Sequence, residues 1–563
     1  MSASIFGQDT PVRPIDDEVD VLVVGGGPVG SSLGIELGRR GVRTVVAERY
    51  THTHRQRGNI RARGLSVRSM EHLRRWGVAD AARALVTLPA EWPRDVAVVT
   101  ALTEHELIRL TRNAYVPVTD LAAEPALSLP QHLLNSVLQD AAQAAGADFR
   151  IGWEVVRLEQ DADGVTARLL EVTTGRTRIV HARYGVGCDG GRSLVRQVAG
   201  ISREESVPIG KNLSVSLHFP DAFDQLGIAP NANYMLFTEH INTLFCPYNA
   251  QEWGYAIGPV PMNFDFDTLD LDAETRLRIG RDAEFSVLWS SPYPVQKRVA
   301  RTYRNGRLFL AGDAAHLFPP YLGQNMNTGI DDAVNLGWKL AAAVHGWGGE
   351  ELLDSYSAER RPIGWRNASA SVSTAQVMVD ARDYLATTGI PRGDDAESES
   401  TRRELGRKIY EITHREWNTN GIVLDQRYDE SPVTVPDGTG APEWDQTSYT
   451  PNARPGHRAP HIALPDGRAL FDIFGDQFTL LDLGAESGDV ESLAKAAGAA
   501  TLPLDVLRID LPAVRVAYGR RLVLVRPDQH VAWRGDETPA DPRALFDTVR
   551  GVGPCPNHAP SPR

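Results

Sequence analysis

The chain is poor in cysteine: Cys188, Cys246 and Cys555 are its only three among 563 residues, with no CxxC pair and no metal-ligand spacing. A disulfide framework and a zinc site are thereby disfavoured, and a reducing cytoplasm is the expected compartment. No run of about 18 apolar residues is present, which argues against a membrane-spanning helix. The opening MSASIFGQDTPVRPIDDEVD shows no basic stretch followed by an apolar one, so no signal peptide is read there. Positive charge is in deficit as well. A formal net charge of −13 speaks against nucleic acid or an anionic membrane as the main partner. Internal repeats are missing too.

What is present is the composition of an ordinary soluble protein, 42% hydrophobic and 23% charged, long enough for two to four domains. Residues 1–17 read as a flexible leader. Strand, glycine turn, helix and strand follow one another from Val19 to Glu48. Gly64–Trp76 reads as a helix, Pro130–Ala145 as another, and 152–182 as a β-meander with turns at Asp163-Gly164 and Gly175. Leu213–Val260, rich in β-branched and aromatic residues, reads as antiparallel sheet. Two helices are expected at Glu350–Arg361 and Asn367–Tyr384. Asp394–Glu404 reads as a surface loop or helix start. Thr434–Arg458, dense in Pro, Gly and Asp, reads as a linker. Strands and helices resume over 470–535, and the last residues read as a tail.

Chemistry concentrates in three stretches. In VDVLVVGGGPVGSSLGIELGRRGVRTVVAER, a strand runs into Gly25, Gly27 and Gly30 spaced as GxGxxG, and the next strand ends on Glu48, 18 residues after Gly30. Glycine serves the tight turn, the close approach of a pyrophosphate and helix–strand packing, and the acid accepts hydrogen bonds from a ribose diol. FAD and NAD both satisfy this pattern. Only one such fingerprint occurs, against a second nicotinamide-binding Rossmann unit.

The second stretch, RLFLAGDAAHLFPPYLGQNMNTGIDDAVNLGWKL, decides between the two. A short strand (Leu308–Ala311) delivers Gly312 and Asp313; a loop with Pro319, Pro320, Gly323 and Gly329 then opens a helix. Its apolar face is Ile330, Ala333, Val334, Gly337, Leu340, Ala341 and Val344. A helix N-terminus exposes unpaired N–H groups and partial positive charge. Asp313 would take ribityl hydroxyls, and the tip at Gly323–Asn327 would meet the electron-accepting edge of a flavin ring, so FAD is favoured. The third stretch, Val186–Arg196, places Asp189, Gly190 and Gly191 between strand and helix.

Together, GxGxxG, the Asp-Gly motif and Gly-Asp-Ala-Ala-His resemble the FAD-dependent aromatic monooxygenases related to phenol and p-hydroxybenzoate hydroxylases, over about residues 19–367. Beyond the linker the chain resembles the thioredoxin-like domain of their longer members. The resemblance implies an α/β fold with a Rossmann-like FAD-binding domain interleaved with an antiparallel-sheet substrate domain. FAD parts are expected at about 18–85, 130–200 and 300–375, and the substrate sheet at about 86–129 and 201–299. A helical segment and linker (376–455), the thioredoxin-like domain (456–552) and a tail (553–563) follow. Cofactor contacts are implied at Gly25, Gly27, Pro28, Gly30, Glu48, Arg49, Arg61, Gln131, Asp189, Gly312, Asp313, Pro320, Gly323, Asn325, Met326 and Asn327, with Asp189 serving NADPH as well. No metal is expected.

Two departures stand out. Asn325 replaces the glycine usual in the family, and an Asn tolerates the left-handed backbone better than most residues. Arg63 replaces an acid that assists phenol activation in phenol hydroxylase-like members.

The implied reaction is reduction of FAD by NADPH or NADH, capture of O2 as a C4a-hydroperoxide, and transfer of one oxygen to a phenolic or polycyclic ring. A phenol with a pKa near ~10 needs a base or donor-rich site; the candidates are Arg63, His218, Tyr234 and Tyr255. Phe237, Phe245, Tyr248 and Trp253 suit an aromatic pocket or plain core packing. The acid-free basic run Arg49, His52, His54, Arg55, Arg57, Arg61 and Arg63 suits a phosphate-facing loop. Without CxxC the C-terminal domain does no thiol–disulfide exchange, and an interface or scaffolding role is expected, in a homo-oligomer of two or more copies. Baeyer–Villiger oxidation, epoxidation, oxidative dehalogenation or a non-catalytic flavin-binding role are the alternatives; absence of WxWxIP disfavours a halogenase.

Overall fold

The computed structural model describes residues 15–51, 64–110 and 121–553. The strand Ile15–Val24 ends in the apolar run Val21–Val24, which has no alternation, as a strand covered on both faces requires, and it lies inside a parallel sheet. Thr177–Gly187 pairs on one side and Thr44–Glu48 on the other, both parallel; Leu308–Leu310 and Asp148–Ile151 extend the order outward. The meander Trp153–Gln160 and Val165–Glu171 folds antiparallel onto Thr177–Gly187. Every parallel strand therefore aims its carboxyl end at one edge, where the glycine turn, Asp189 and Asp313 all lie.

Two helices cross that edge. Pro28–Gly38 leaves the glycine turn, and the central helix Asn325–Val344 packs against it through glycine. A Cβ on Gly329 would stand 2.6 Å from Val29 Cγ2, and one on Gly337 would collide with the Glu36 Cβ. The central helix is buried all round from Asn327 to Ala343, so its polar stripe Asp331, Asp332, Asn335 and Lys339 is interior as well. Gly329 belongs to this helix rather than to the loop before it.

A second sheet has seven strands in the order 286–294, 211–218, 252–260, 242–247, 233–237, 96–99 and 106–110. It is antiparallel except where Asn233–Phe237 runs parallel to Val96–Val99, and a short helix, Ala222–Leu226, interrupts the stretch expected to be all sheet. One face is sealed by that helix and by Leu271–Ile279. The other meets the long helix Glu350–Thr388 and Ala396–Trp417.

The C-terminal sheet runs 504–508, 478–482, 522–525, 531–535, with the first two strands parallel and the rest antiparallel. Helices Ser487–Ala499, Pro512–Tyr518 and Pro542–Val549 complete the thioredoxin-like arrangement. No helix of the described residues is long and apolar enough to cross a membrane.

Four local readings change. The first strand starts at Ile15, inside the expected leader, because it pairs with Arg178 onward. The helix expected from Gly64 starts at Val67, where Ser66 Oγ accepts the Ser69 N–H at 3.1 Å. Glu350–Thr388 is one helix and not two: it continues through Pro362 because Glu359 and Arg360, just before it, are locked in buried ion pairs. The expected linker at 434–458 is bound at both ends, by Val435 N to Ala532 O (2.9 Å) and by the fully buried Arg458.

The close helix crossing predicts that Gly337→Val, which adds two methyls and a Cβ where Glu36 already sits, loses about 1–3 kcal/mol of stability, measured by urea unfolding.

Candidate active site

The glycine turn is held from three directions. Glu48 Oε2 accepts the Gly26 N–H (2.8 Å) and its Oε1 accepts the Tyr50 N–H (2.9 Å). Gln139 Nε2 and Ser31 Oγ donate to the Gly26 carbonyl at 3.0 and 3.2 Å. Gly25 has φ +102°, open to glycine alone, and its missing Cβ leaves room for the Cys188 carbonyl. Gly30 packs in the same way on the Gly25 carbonyl, whereas a Cβ on Gly27 would meet nothing within 4 Å. Two glycines thus serve packing and one leaves open space at the N-terminus of the helix that Pro28 starts.

The turn bearing Asp313 touches this helix. A Cβ on Gly312 (φ +59°) would stand 2.8 Å from Val29 Cγ2, the atom that also meets Gly329. Val29 therefore joins the glycine turn, the Asp313 turn and the central helix at one point. Asp332 secures the arrangement: Oδ2 accepts the Gly312 N–H (3.1 Å) and faces His316 Nε2 (2.7 Å), while Oδ1 accepts from Arg360 Nε (2.8 Å). Asp189 accepts from the N–H groups of Leu194 (2.7 Å) and Val195 (3.2 Å), and burial still pushes its carboxyl above the usual range.

Asn325 is the first residue of the central helix and has no left-handed backbone; that conformation falls on Leu322 and Gly323, both at φ +65°. The strain is carried by Leu322, whose N–H is held by Glu416 Oε2 at 2.9 Å. Asn325 instead donates from Nδ2 to Asp313 Oδ1 at 2.7 Å. Asn327 ties the helix start to Gly64, Gly323, Ser66 and Ser69 at 2.7–3.0 Å. Ser371 Oγ donates to the Pro319 carbonyl (2.7 Å), so the long helix holds the Pro319–Pro320 loop. Pro28 is buried at the helix start, Met326 packs on the main core, and Gln131 opens its helix half-buried. Arg49 stacks on Tyr50 at 4.7 Å on the surface. Arg61 and Arg63, with His52, His54, Arg55 and Arg57, lie outside the described residues.

The seven-stranded sheet places two of the catalytic candidates in its core. Tyr234 and Tyr255 point to its sealed face, among Phe245, Trp253 and Ile279. Tyr255 Oη is bonded to Thr275 Oγ1 (2.8 Å) and Tyr234 Oη donates to the Ala229 carbonyl (3.2 Å). Burial pushes both phenols up, opposite to what a base needs. His218 is on the other face but at the far strand end, opposite Glu252 and Ser286, about 20 Å along the strand from Asn212. Phe245 and Trp253 are sealed-face core, Phe237 packs with Met378, and Tyr248 lies over Gly254.

The open face carries a group that composition did not single out. Asn212 Nδ2 donates to Tyr293 Oη at 3.1 Å, and the hydroxyl of Tyr321, in the Pro320–Gly323 loop, lies near both. Ser214, Ser216, Ala256 and Ser291 share this face by register, with Trp289 opposite Ser216 and the Tyr248 ring over Gly254 at its far end. The polar-alternating spelling of 211–218 held that signal; which parity faces the loop it did not.

These residues fit a flavin dinucleotide: open space at Gly27 and Gly323 where phosphates and a ring approach backbone, and carboxylates at Glu48 and Asp313 where hydroxyls must be held. Residues 18–371 match the family model described as an FAD binding domain, and 452–552 the one described as aromatic-ring hydroxylase, C-terminal. This chain belongs to the FAD-dependent aromatic-ring monooxygenases. The 4-methyl-5-nitrocatechol 5-monooxygenase of Burkholderia sp. is 30% identical, over 96% of this chain and 98% of its own. Among solved structures, the rebeccamycin biosynthetic enzyme RebC with reduced flavin is 34% identical (TM-score 0.84, covering 96% of this chain and all of that one). The flavin-dependent monooxygenase PieE, in complex with FAD and substrate, is 28% identical (TM-score 0.84, covering 96% and 99%). As a member of this family the chain is an FAD enzyme acting on aromatic compounds.

Two outcomes test the placement. Asp313→Ala raises the FAD dissociation constant of the apoprotein at least about tenfold, one charge-assisted hydrogen bond's worth, in a flavin fluorescence titration. Tyr255→Phe leaves kcat/KM within about twofold while costing about 1 kcal/mol of stability from the lost bond to Thr275.

Proposed function

We propose that this monooxygenase uses NADPH or NADH and O2 to hydroxylate a phenolic or polycyclic aromatic substrate lying on the open face of the seven-stranded sheet. The observation that carries the reading is the meeting of Asn212, Tyr293 and Tyr321 beside the Pro320–Gly323 loop, next to the small side chains of Ser214, Ala256 and Ser291. A flat ring system needs small neighbours of this kind, and a ring hydroxyl needs hydrogen-bonding partners beside them.

In this reading Gly25, Gly27, Gly30 and Glu48 hold the adenosine diphosphate, Asp313 with Asn325 the ribityl chain, and the start of the central helix the flavin ring. Asp189 serves the diphosphate region and the nicotinamide cofactor. The flavin supplies the oxygen-activating chemistry when bound. The protein's part is to place the substrate ring, to keep bulk water off it and to hold its hydroxyl. N–H groups at the helix start stabilise negative charge at the ring edge they face. Asn212 and Tyr321 orient the substrate hydroxyl, ring carbons ortho or para to it being the electron-rich ones. No base of low pKa is offered: burial pushes the hydroxyls of Tyr293 and Tyr321 up, so they act as neutral donors. A dimer or larger homo-oligomer is part of the proposal.

Oxidation of NADPH and NADH by the yellow protein is measured against a panel of phenols and polycyclic phenols, with product mass in labelled O2. The expected product is heavier by one oxygen, taken from O2 and not from water. Ring expansion or an epoxide moves the reading to Baeyer–Villiger or epoxidase chemistry; flavin bound without turnover overturns it.

A further inference from the structure

The C-terminal domain carries no redox cysteines, yet it sends its most buried charges into the helix that opens at the flavin. Arg526 is fully buried and forks onto Glu359 (2.6 and 2.8 Å) and onto Asp528 (2.6 Å). Glu359 also receives Lys339 Nζ (2.6 Å) and Asn335 Nδ2 (2.7 Å), and Asp528 receives Asn335 Nδ2 (3.1 Å) and Trp338 Nε1 (3.3 Å). Asn335, Trp338 and Lys339 all belong to the central helix. Arg68 adds a second tie, donating to the Asp528 carbonyl (3.0 Å) and to Gln529 Oε1 (2.6 Å).

Between these ties lies a cavity of about 10 Å³, lined among others by Arg68, His72, Asp331, Asn335, Asp528 and His530. Three of its lining residues, each at least 97% buried, carry a polar atom with no partner: His72 Nδ1, Asn335 Oδ1 and His530 Nε2. His72 Nε2 faces Asp331 Oδ1 (3.0 Å) and His530 Nδ1 faces the Asp528 carbonyl (3.1 Å). Both facing oxygens are acceptors, so the proton of each ring sits on that nitrogen and the other nitrogen is left as an acceptor. Burial keeps both rings neutral, His72 pushed down to about 4. A cavity of this size, walled by three acceptors, has room for a single water, whose two O–H groups answer two of them.

From there the connection to the cofactor is short. The Tyr428 ring lies 4.3 Å from His530 and 5.3 Å from the Arg526 guanidinium, and its hydroxyl accepts from Arg360 Nη1 (3.2 Å). Arg360 holds Asp332, and Asp332 holds the Gly312 N–H of the Asp313 turn.

We propose that the C-terminal domain is part of the flavin-holding apparatus: Arg526 and Asp528, with one internal water donating to His530 Nε2 and to one of the two acceptors facing it, His72 Nδ1 or Asn335 Oδ1, fix the central helix and the Asp313 turn in the geometry that binds FAD. Arg526, Asp528 and His530 are positioning residues, since none of them lies at the glycine turn or at the helix start.

The test uses the full chain as apoprotein, with FAD affinity from fluorescence titration and folding from near-ultraviolet circular dichroism. Arg526→Met is expected to weaken FAD binding at least tenfold with the dichroism retained. Arg526→Lys, which restores charge without the fork, is expected to fall between it and the wild type. His530→Leu removes one acceptor and no charge, and is expected to weaken FAD two- to fivefold. Val514→Ala, in the C-terminal core and away from these ties, is expected to lower the thermal midpoint and leave FAD affinity within twofold. FAD affinity within twofold of wild type in both folded Arg526→Met and His530→Leu overturns the proposal. If Arg526→Met does not fold, the same result in Arg526→Lys and His530→Leu overturns it. The readout needs no substrate, so it separates from failure of the hydroxylation reading.

Discussion

Two carboxylates side by side in a buried helix, Asp331 and Asp332, are the constraint on which the rest of the molecule turns. Charge taken out of water is tolerated only where it is paired and hydrogen-bonded. Asp332 therefore draws in Arg360, His316 and the Gly312 N–H, and Asp331 draws in His72 and Gln426. The five partners come from four parts of the chain, Gly312 and His316 sharing one. The long helix, the Asp313 turn, the helix after Ser66 and the segment before the C-terminal domain are all brought to one helix by two adjacent acids.

Such pairing is weak evidence for stability but strong evidence for a single geometry, because the directional bonds of Arg360 and Asp332 admit few alternatives. The glycines do the complementary work. Gly25, Gly312, Gly329 and Gly337 let backbones and Val29 or Glu36 approach where any Cβ would hold them apart. Close approach sets the distance between the glycine turn and the Asp313 turn, and the buried acids set their orientation. A long cofactor is gripped at several points only if those points are rigid with respect to one another.

The seven-stranded sheet divides its own residues by parity. Leu213, Val215 and Leu217 fill the sealed core and Asn212, Ser214 and Ser216 take the other face, with Asn212 beside Tyr321. The strand's spelling shows the alternation and is silent on which face a flavin meets, so Tyr234 and Tyr255 read as candidates although their side chains belong to the core. Asn325 is a similar case: substitution at a glycine position suggested a left-handed residue, whereas the strained backbone sits three residues earlier on Leu322. Pro362 suggested a helix break, and neighbouring buried ion pairs override it. At Pro362 a local preference of about 3 kcal/mol against the helix interior met tertiary bonds that were stronger together.

The sequence by itself determined the parts whose signal is local: the glycine turn ending in Glu48, the Asp313 turn before a helix, the alternating strands and the return of strands and helices over 470–535. Periodicity and turn chemistry are properties of adjacent residues, so they survive in a one-dimensional reading. Only the tertiary structure decided which face of the second sheet is open, that Gln139 and Glu416 brace the cofactor loops, and that Arg526 reaches the central helix. Those depend on groups up to several hundred positions apart meeting in a low-dielectric interior, where hydrogen bonds and charges must be matched across elements, and no pattern of neighbours along the chain records that matching.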